Sequence, residues 1–312
     1  MRARGACSAG LAVAALLGVD SLAAESTTPE PVSVRLEVVG WSAHLKQDLN
    51  IKLYFTNSTE PVVFIDPSAF SAESFSIRKP GGKAIRPAAP LGGAPAERIK
   101  LDGFGSFERV VNLSEAYPRL TSGKNTWDIG WSHGAWTADP IRVKVVRPFD
   151  PQKDRRVVVE TDLGRMTWTL LPAHAPRRVE RFVDLVREGY YDGLTFFRLI
   201  PGLQVEGGDA AGDGSGAWGR QMMGEFSNEV AVEIGLVAAA RRESSMTSDS
   251  MFFITLGNLE FMRGKHTFYA RITEGLDVLA KMSRLENRGD NGLKDAFMLV
   301  PPVKIHSMTV RK

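Results

Sequence analysis

A single cysteine, Cys7, stands in 312 residues, so no internal disulfide can form and the disulfide-stapled scaffolds are excluded. Beyond its N-terminus the chain has no apolar run near the ~20 residues that a membrane-crossing helix needs. Long blocks of one charge are also absent. The 39 basic and 36 acidic side chains leave a formal charge of +3, which offers no footprint for a polyanion, and nucleic acid is not expected as a partner. Histidine is scarce and scattered: His44, His133, His174 and His306 sit singly without ligand-like spacing, so no metal site is expected. What remains is ordinary globular material. Apolar residues at 43% and charged residues at 24% lie near the globular average and exclude a mainly disordered, collagenous or coiled-coil chain. At ~150 residues per domain the length asks for two cores.

The first residues carry the marks of an export signal. Arg2 and Arg4 give a positive end, Leu11, Val13, Leu16, Leu17 and Val19 an apolar run, and Ser21-Leu-Ala-Ala24 small residues for cleavage. Residues 1–24 are therefore expected to leave, and the mature protein to be exported, either periplasmic or secreted, without a membrane span. Cys7 precedes the apolar run, the wrong place for a lipid-bearing cysteine, and would leave with it.

Residues 31–147 read as an antiparallel β domain. Short alternating or β-branched runs recur at Val32–Val39, Leu49–Asn57, Val62–Ile65, Phe75–Arg78, Glu97–Leu101, Phe107–Leu113, Asn125–Trp131 and Ile141–Val146. Turn residues such as Lys79-Pro-Gly-Gly82 separate them. This spacing predicts a two-sheet sandwich, and the order of segments resembles the immunoglobulin-like sandwiches attached to bacterial exported proteins. Trp41, Trp127, Trp131 and Trp136 are read as core anchors rather than a sugar-stacking platform. Asn57-Ser-Thr59 and Asn112-Leu-Ser114 match the glycosylation pattern but carry no functional weight. Residues 148–155, with Pro148 and Pro151, form a linker.

From 156 to the C-terminus the pattern changes. Val157–Leu171 alternates across Asp162-Leu-Gly164 as a half-buried hairpin. Pro176 then suits a first helical position, Val179, Phe182, Val183 and Val186 form a stripe, and Gly189 stops the helix. A second helix is expected from about Glu274 to Leu285. Few helices, many strands and no βαβ alternation favour a closed antiparallel β-barrel capped by two α-helices, making the whole chain mainly β.

The motifs themselves are Gly189-Tyr-Tyr-Asp-Gly193, Phe196-Phe-Arg198-Leu-Ile-Pro-Gly202, Gly207-Gly-Asp209, Gly214-Ser-Gly216, Phe226-Ser-Asn-Glu229, Phe252-Phe-Ile254 and Gly264-Lys-His266. In this order the segment 156–312 resembles the cyclophilin family of peptidyl-prolyl cis-trans isomerases. The reaction so implied needs no cofactor. An X-Pro bond favours trans by only ~0.5–1 kcal/mol, yet rotation must break amide resonance across ~18–20 kcal/mol. A catalyst needs an apolar slot for the proline ring and a fixed donor that engages the twisted bond better than either planar form.

By that resemblance Arg198 is the donor, Phe253 the aromatic floor and His266 the pocket edge, with Glu206 beside Arg198 completing the catalytic set. Leu203, Gln204, Met251, Phe261 and Met262 fall on substrate-binding positions, and Ala240 and Arg241 on the segment whose backbone pairs with the substrate. The partner implied is a proline-containing segment of a client protein. Several positions depart from the family pattern. Phe197 replaces a histidine, Glu206 a glutamine, and Leu203, Gln204, Met251 and Phe261 replace phenylalanine, methionine, glutamine and tryptophan. The slot is smaller as a result, and Met251 cannot donate the hydrogen bonds of an amide. A carboxylate at 206 both steadies Arg198, through an expected bidentate pair, and cancels part of its field. Three readings stay open: an exported isomerase, a barrel that grips proline segments without turning them over, and a scaffold in which the N-terminal domain is the main functional part.

Overall fold

The computed structural model describes residues 32–40, 42–216, 221–241, 245–293 and 295–312. The expected leader, Cys7 and Trp41 lie outside them. In the N-terminal domain the chain forms β1 (Val32–Val38), β2 (Ala43–His44), β3 (Asn50–Asn57), β4 (Val63–Ile65), β5 (Phe75–Arg78), β6 (Ile99–Leu101), β7 (Ser106–Asn112), the one-turn helix α1 (Leu113–Ala116), β8 (Thr126–His133) and β9 (Trp136–Val146). Each expected run overlaps a strand. β9 starts five residues earlier than its pattern indicated, because Pro140 interrupts the apolar alternation. The ladder with β8 shifts register between Ile129 and Trp131, so Pro140 faces a bulge, where its missing N–H sacrifices no ladder bond.

The ladders run in the order β5-β8-β9-β1-β3-β7, with β2 attached to β9 and β4 paired to β6. Where a two-sheet sandwich was expected, the main ladders are continuous, since β1 meets β9 in parallel at Val34↔Ala138 and pairs with β3 from Val32↔Asn57 to Val38↔Ile51. Alternation puts Ile51, Leu53, Phe55, Ile129 and Trp131 in a common core. Trp127 and Trp131 are buried there, and their indole N–H groups donate to Leu120 O (3.0 Å) and Ala69 O (2.9 Å). Trp136 is partly buried against the same core. Asn57 is fully buried and its amide donates to Pro61 O at 2.7 Å, while Asn112 caps α1. Both asparagines have structural work.

The second domain comprises β10 (Arg156–Thr161), β11 (Gly164–Leu170), α2 (Pro176–Glu188), β12 (Thr195–Ile200), β13 (Gln204–Gly207), β14 (Gln221–Met223), β15 (Leu236–Arg241), β16 (Met246–Thr255), β17 (Phe268–Glu274), α3 (Leu276–Met282) and β18 (Met298–Arg311). Eight strands close a barrel in the order β13-β12-β18-β10-β11-β17-β15-β16, and β16 returns to β13 through Gln204↔Thr255 to Gly207↔Phe252. β14 pairs with the first part of β16. Closure removes the exposed sheet edges that an open sheet would leave.

α2 begins with Pro176 and ends at Gly189 in the left-handed region, as the sequence indicates. Its stripe of Val179, Phe182, Val183 and Val186 is buried in the barrel core. Phe182 stacks on Trp168 at 5.9 Å. Each fully buried side chain of this kind stabilises the fold by roughly 1.5–3 kcal/mol. α3 is shorter than expected because Glu274 still belongs to β17, opposite Thr167, and Gly275 turns the chain at φ 84°. Among the described residues no helix is long and apolar enough to cross a membrane.

The outer face of α2 meets the N-terminal domain through polar contacts. His44 Nε2 and Asp184 Oδ2 are 2.7 Å apart, Ser42 Oγ donates to Glu188 Oε1 at 2.6 Å, and Lys144 Nζ donates to Glu188 O at 3.1 Å.

Candidate active site

Three neighbouring strands bring the chemistry together. Arg198 of β12 lies opposite Glu206 of β13, Glu206 lies opposite Phe253 of β16, and Phe253 opposite Ala238 of β15. Directly opposed residues share a sheet face, so a guanidinium, a carboxylate and a benzene ring form one row across the barrel wall. They open into a cleft of about 560 Å³ lined also by Gln204, Ala240, Arg241, Met251 and His266. The cleft thus gathers eight of the eleven residues singled out from the sequence. Leu203 and Met262 instead pack in the apolar cluster around Phe253. Phe261 is not part of the cleft lining and is 61% exposed on the short turn Glu260–Met262.

Arg198 Nη1 donates to Glu206 Oε2 at 3.0 Å, and Nη2 donates to the Asp213 carbonyl at 3.3 Å. The expected bidentate pair with Glu206 is not formed. Gln204, two residues away on the same face, donates to Glu206 Oε1 at 2.7 Å and takes the second oxygen. Glu206 is nearly buried, and Arg198 keeps about a quarter of its side chain exposed toward the cleft.

The Asp213 carbonyl is itself held. Asp209 is 1% exposed, and its Oδ2 accepts the backbone N–H groups of Asp213 (3.1 Å) and Gly214 (2.7 Å). Two glycines are required here. Gly208 has φ +81° and a Cβ would lie 2.8 Å from both the Phe252 ring and Ser250 O; Gly214 has φ +86° with its Cβ direction 3.4 Å from Arg198 Nη2. The Gly-Gly-Asp and Gly-Ser-Gly motifs therefore shape the loop that fixes the far side of Arg198.

Phe253 is 3% exposed and His266 meets it edge-on, with ring centroids 5.3 Å apart and planes at 88°. Burial, then the charges of Arg241 and Lys265, push the His266 pKa down to about 4. His266 is accordingly a neutral aromatic wall at physiological pH. The sign follows directly. A histidine whose folded pKa lies below its ordinary 6.5 contributes stability that is complete above 6.5 and is lost as pH falls toward about 4. kcat/KM on a prolyl peptide should therefore stay level from pH 8 to ~5.5 and fall only as imidazolium forms at His266. A rate step centred near the ordinary imidazole value, and abolished in His266→Phe, would contradict this.

A second apolar patch joins Met251, Ala240 and Phe197 with Met298. Met298 went unrecognised in the sequence, as did Asp213, Ser215 and Asp295, which also line the cleft. Gly214-Ser-Gly216 was the available signal for Asp213 and Ser215. Met298 arrives only through the β12–β18 ladder, opposite Arg198, and has no local signature.

The wall of a closed antiparallel barrel thus presents a guanidinium, a carboxylate and a buried benzene ring to one cleft. Comparison with known proteins gives the family. Residues 156–310 match the family model described as cyclophilin type peptidyl-prolyl cis-trans isomerase/CLD. The peptidyl-prolyl cis-trans isomerase ppi1 of Schizosaccharomyces pombe is 36% identical over 40% of this chain and 83% of its own. The isomerase cypE of Dictyostelium discoideum is 33% identical over 46% of this chain and 93% of its own. A crystal structure of a Cryptosporidium parvum cyclophilin type isomerase, in the presence of the dipeptide Ala-Pro, covers 51% of this chain and 99% of its own at 23% identity and a TM-score of 0.47. The chain belongs to the cyclophilin-type peptidyl-prolyl cis-trans isomerase family.

Proposed function

We propose that the cleft turns over X-Pro bonds in exported proteins. Arg198 donates to the prolyl amide as its resonance is lost, Phe253 forms the floor for the proline ring, and neutral His266 walls it. Gln204, Met251, Ala240 and Arg241 flank the substrate chain. The observation that carries this reading is the row Arg198, Glu206, Phe253 across β12, β13 and β16, facing one cleft. Export rests on residues 1–24 and is checked by sequencing the N-terminus of protein recovered outside the cytoplasm.

Glu206 sets the rate in this scheme. Its carboxylate accepts from the donor guanidinium and cancels part of the field meant for the substrate. Glu206→Gln keeps an acceptor oxygen and removes the charge, so kcat/KM should rise about threefold, the order of one hydrogen bond's net worth. The test is exchange of a cis-enriched X-Pro tetrapeptide by the full chain and this variant. No acceleration by the parent would refute the isomerase reading, and a variant no faster than the parent would refute the role of Glu206.

A further inference from the structure

α2 carries two arginines that the apolar stripe does not explain. Arg178 is 1% and Arg181 5% exposed, although arginine is among the residues least often buried. Both are directed at one irregular stretch of β16. Ala239 pairs with Phe252 and Arg241 with Thr247, so Ala240 alone faces Ser248, Asp249, Ser250 and Met251. In such a bulge the carbonyls lose ladder partners and must find others. Arg178 supplies them: Nη1 donates to Asp249 O, and Nη2 lies 3.4 Å from both Ser250 O and Met251 O. The guanidinium carbon lies 4.6 Å from the centroid of the Tyr269 ring, and Tyr191 OH donates to Ser250 O at 2.9 Å. Arg181 grips the same stretch through the Asp249 carboxylate, at 3.1 Å from Nε and 2.9 Å from Nη2. Its Nη1 also donates to Ser42 Oγ of the N-terminal domain at 3.2 Å.

The stretch so held ends in Met251, whose side chain lines the cleft, two residues before Phe253. We infer that Arg178 is a positioning residue for the isomerase site, setting the Met251 wall of the cleft from behind the strand, and that Arg181 extends this clasp to the N-terminal domain. A planar fork reaching three successive carbonyls is something lysine cannot reproduce. Ser42 and His44 then brace α2 from its other side, which gives the fused domain a mechanical part in the site.

The inference rests on the cleft engaging prolyl peptides, so turnover and peptide affinity are both measured, on the full chain and below the melting midpoint of each variant. Arg178→Lys should lower kcat/KM about tenfold, mainly through KM, because displacement of a wall by a fraction of an ångström is enough for that. Its effect should be non-additive with Met251→Ala, since the two act through one contact. Arg181→Gln, which leaves Arg178 in place, should cost about threefold, because it loosens only the hold on the Asp249 side chain and leaves the carbonyls of the stretch their donor. It decides the matter if Arg178→Lys does not fold. Unchanged KM in a folded Arg178→Lys, strict additivity with Met251→Ala, or wild-type KM in Arg181→Gln when Arg178→Lys is unfolded overturns the inference. A parent that binds peptide without turning it over refutes the isomerase reading while the affinities still report on Arg178; a parent that does neither overturns both.

Discussion

Arg198→Ala is expected to lower kcat/KM on an X-Pro peptide by about 10²–10³-fold, the loss typical when a preorganised donor to a developing charge is removed. The guanidinium is pinned on one edge by Glu206 and on another by the Asp213 carbonyl, so its aim is fixed before substrate arrives. Alanine has a second effect. It leaves the Glu206 carboxylate, only 10% exposed, without its cation, at a cost of roughly 1–3 kcal/mol in stability. The two effects separate in the double variant Arg198→Ala/Glu206→Gln, which has no stranded charge. If the donor is what matters, the double variant regains thermal stability and remains as slow as the single one. Recovery of more than a tenth of parental turnover would mean that Arg198 only neutralises Glu206. Peptide affinity completes the comparison: a parent that binds and does not turn over would move the protein to the second reading, a barrel that grips proline segments.

The parts of this molecule that were legible in the sequence are those with local causes. Pro176, the stripe Val179–Val186 and Gly189 act within one helix, and α2 spans what they dictate. Phe75–Arg78 is bounded by turn chemistry and appears unchanged as β5. The site was legible by another route. Nothing near Arg198 indicates Phe253, and their meeting depends on two ladders, β12–β13 and β13–β16, the first with a register shift between Phe196 and Arg198. Only resemblance to a family in which that register already exists could pair them. The same dependence explains the gaps. Met298 reaches Arg198 through β18, and Glu206 gives Arg198 one oxygen because Gln204 competes for the other. Phe261 follows the family's order of residues, but the turn at Glu260–Met262 buries Met262 and leaves Phe261 outside. The bulge at Ser248–Met251 and the contacts of Arg178 with it had no sequence signal, since arginines on a helix ordinarily read as solvated.

Phe253→Ala should damage stability and binding together. The ring is 3% exposed within a cluster of Val230, Val232, Leu236, Ala238, Leu259, Met262 and Phe268, and it supports His266 edge-on. Truncating a buried phenylalanine costs about 3–5 kcal/mol in lost transfer energy and residual cavity. For a barrel of this size that lowers the melting midpoint by about 10 °C. Phe253→Leu keeps most of the volume and should cost less than ~1.5 kcal/mol. It replaces a flat face by a branched one, however, so the proline ring loses its complementary surface while the fold persists. The leucine variant should therefore melt close to the parent and still show a KM raised several-fold, whereas the alanine variant loses both. Thermal melts and peptide kinetics on the two proteins check this. Parental KM in Phe253→Leu would remove the ring from the proline pocket, and a parental melting midpoint in Phe253→Ala would show that the cluster around it does not depend on that ring.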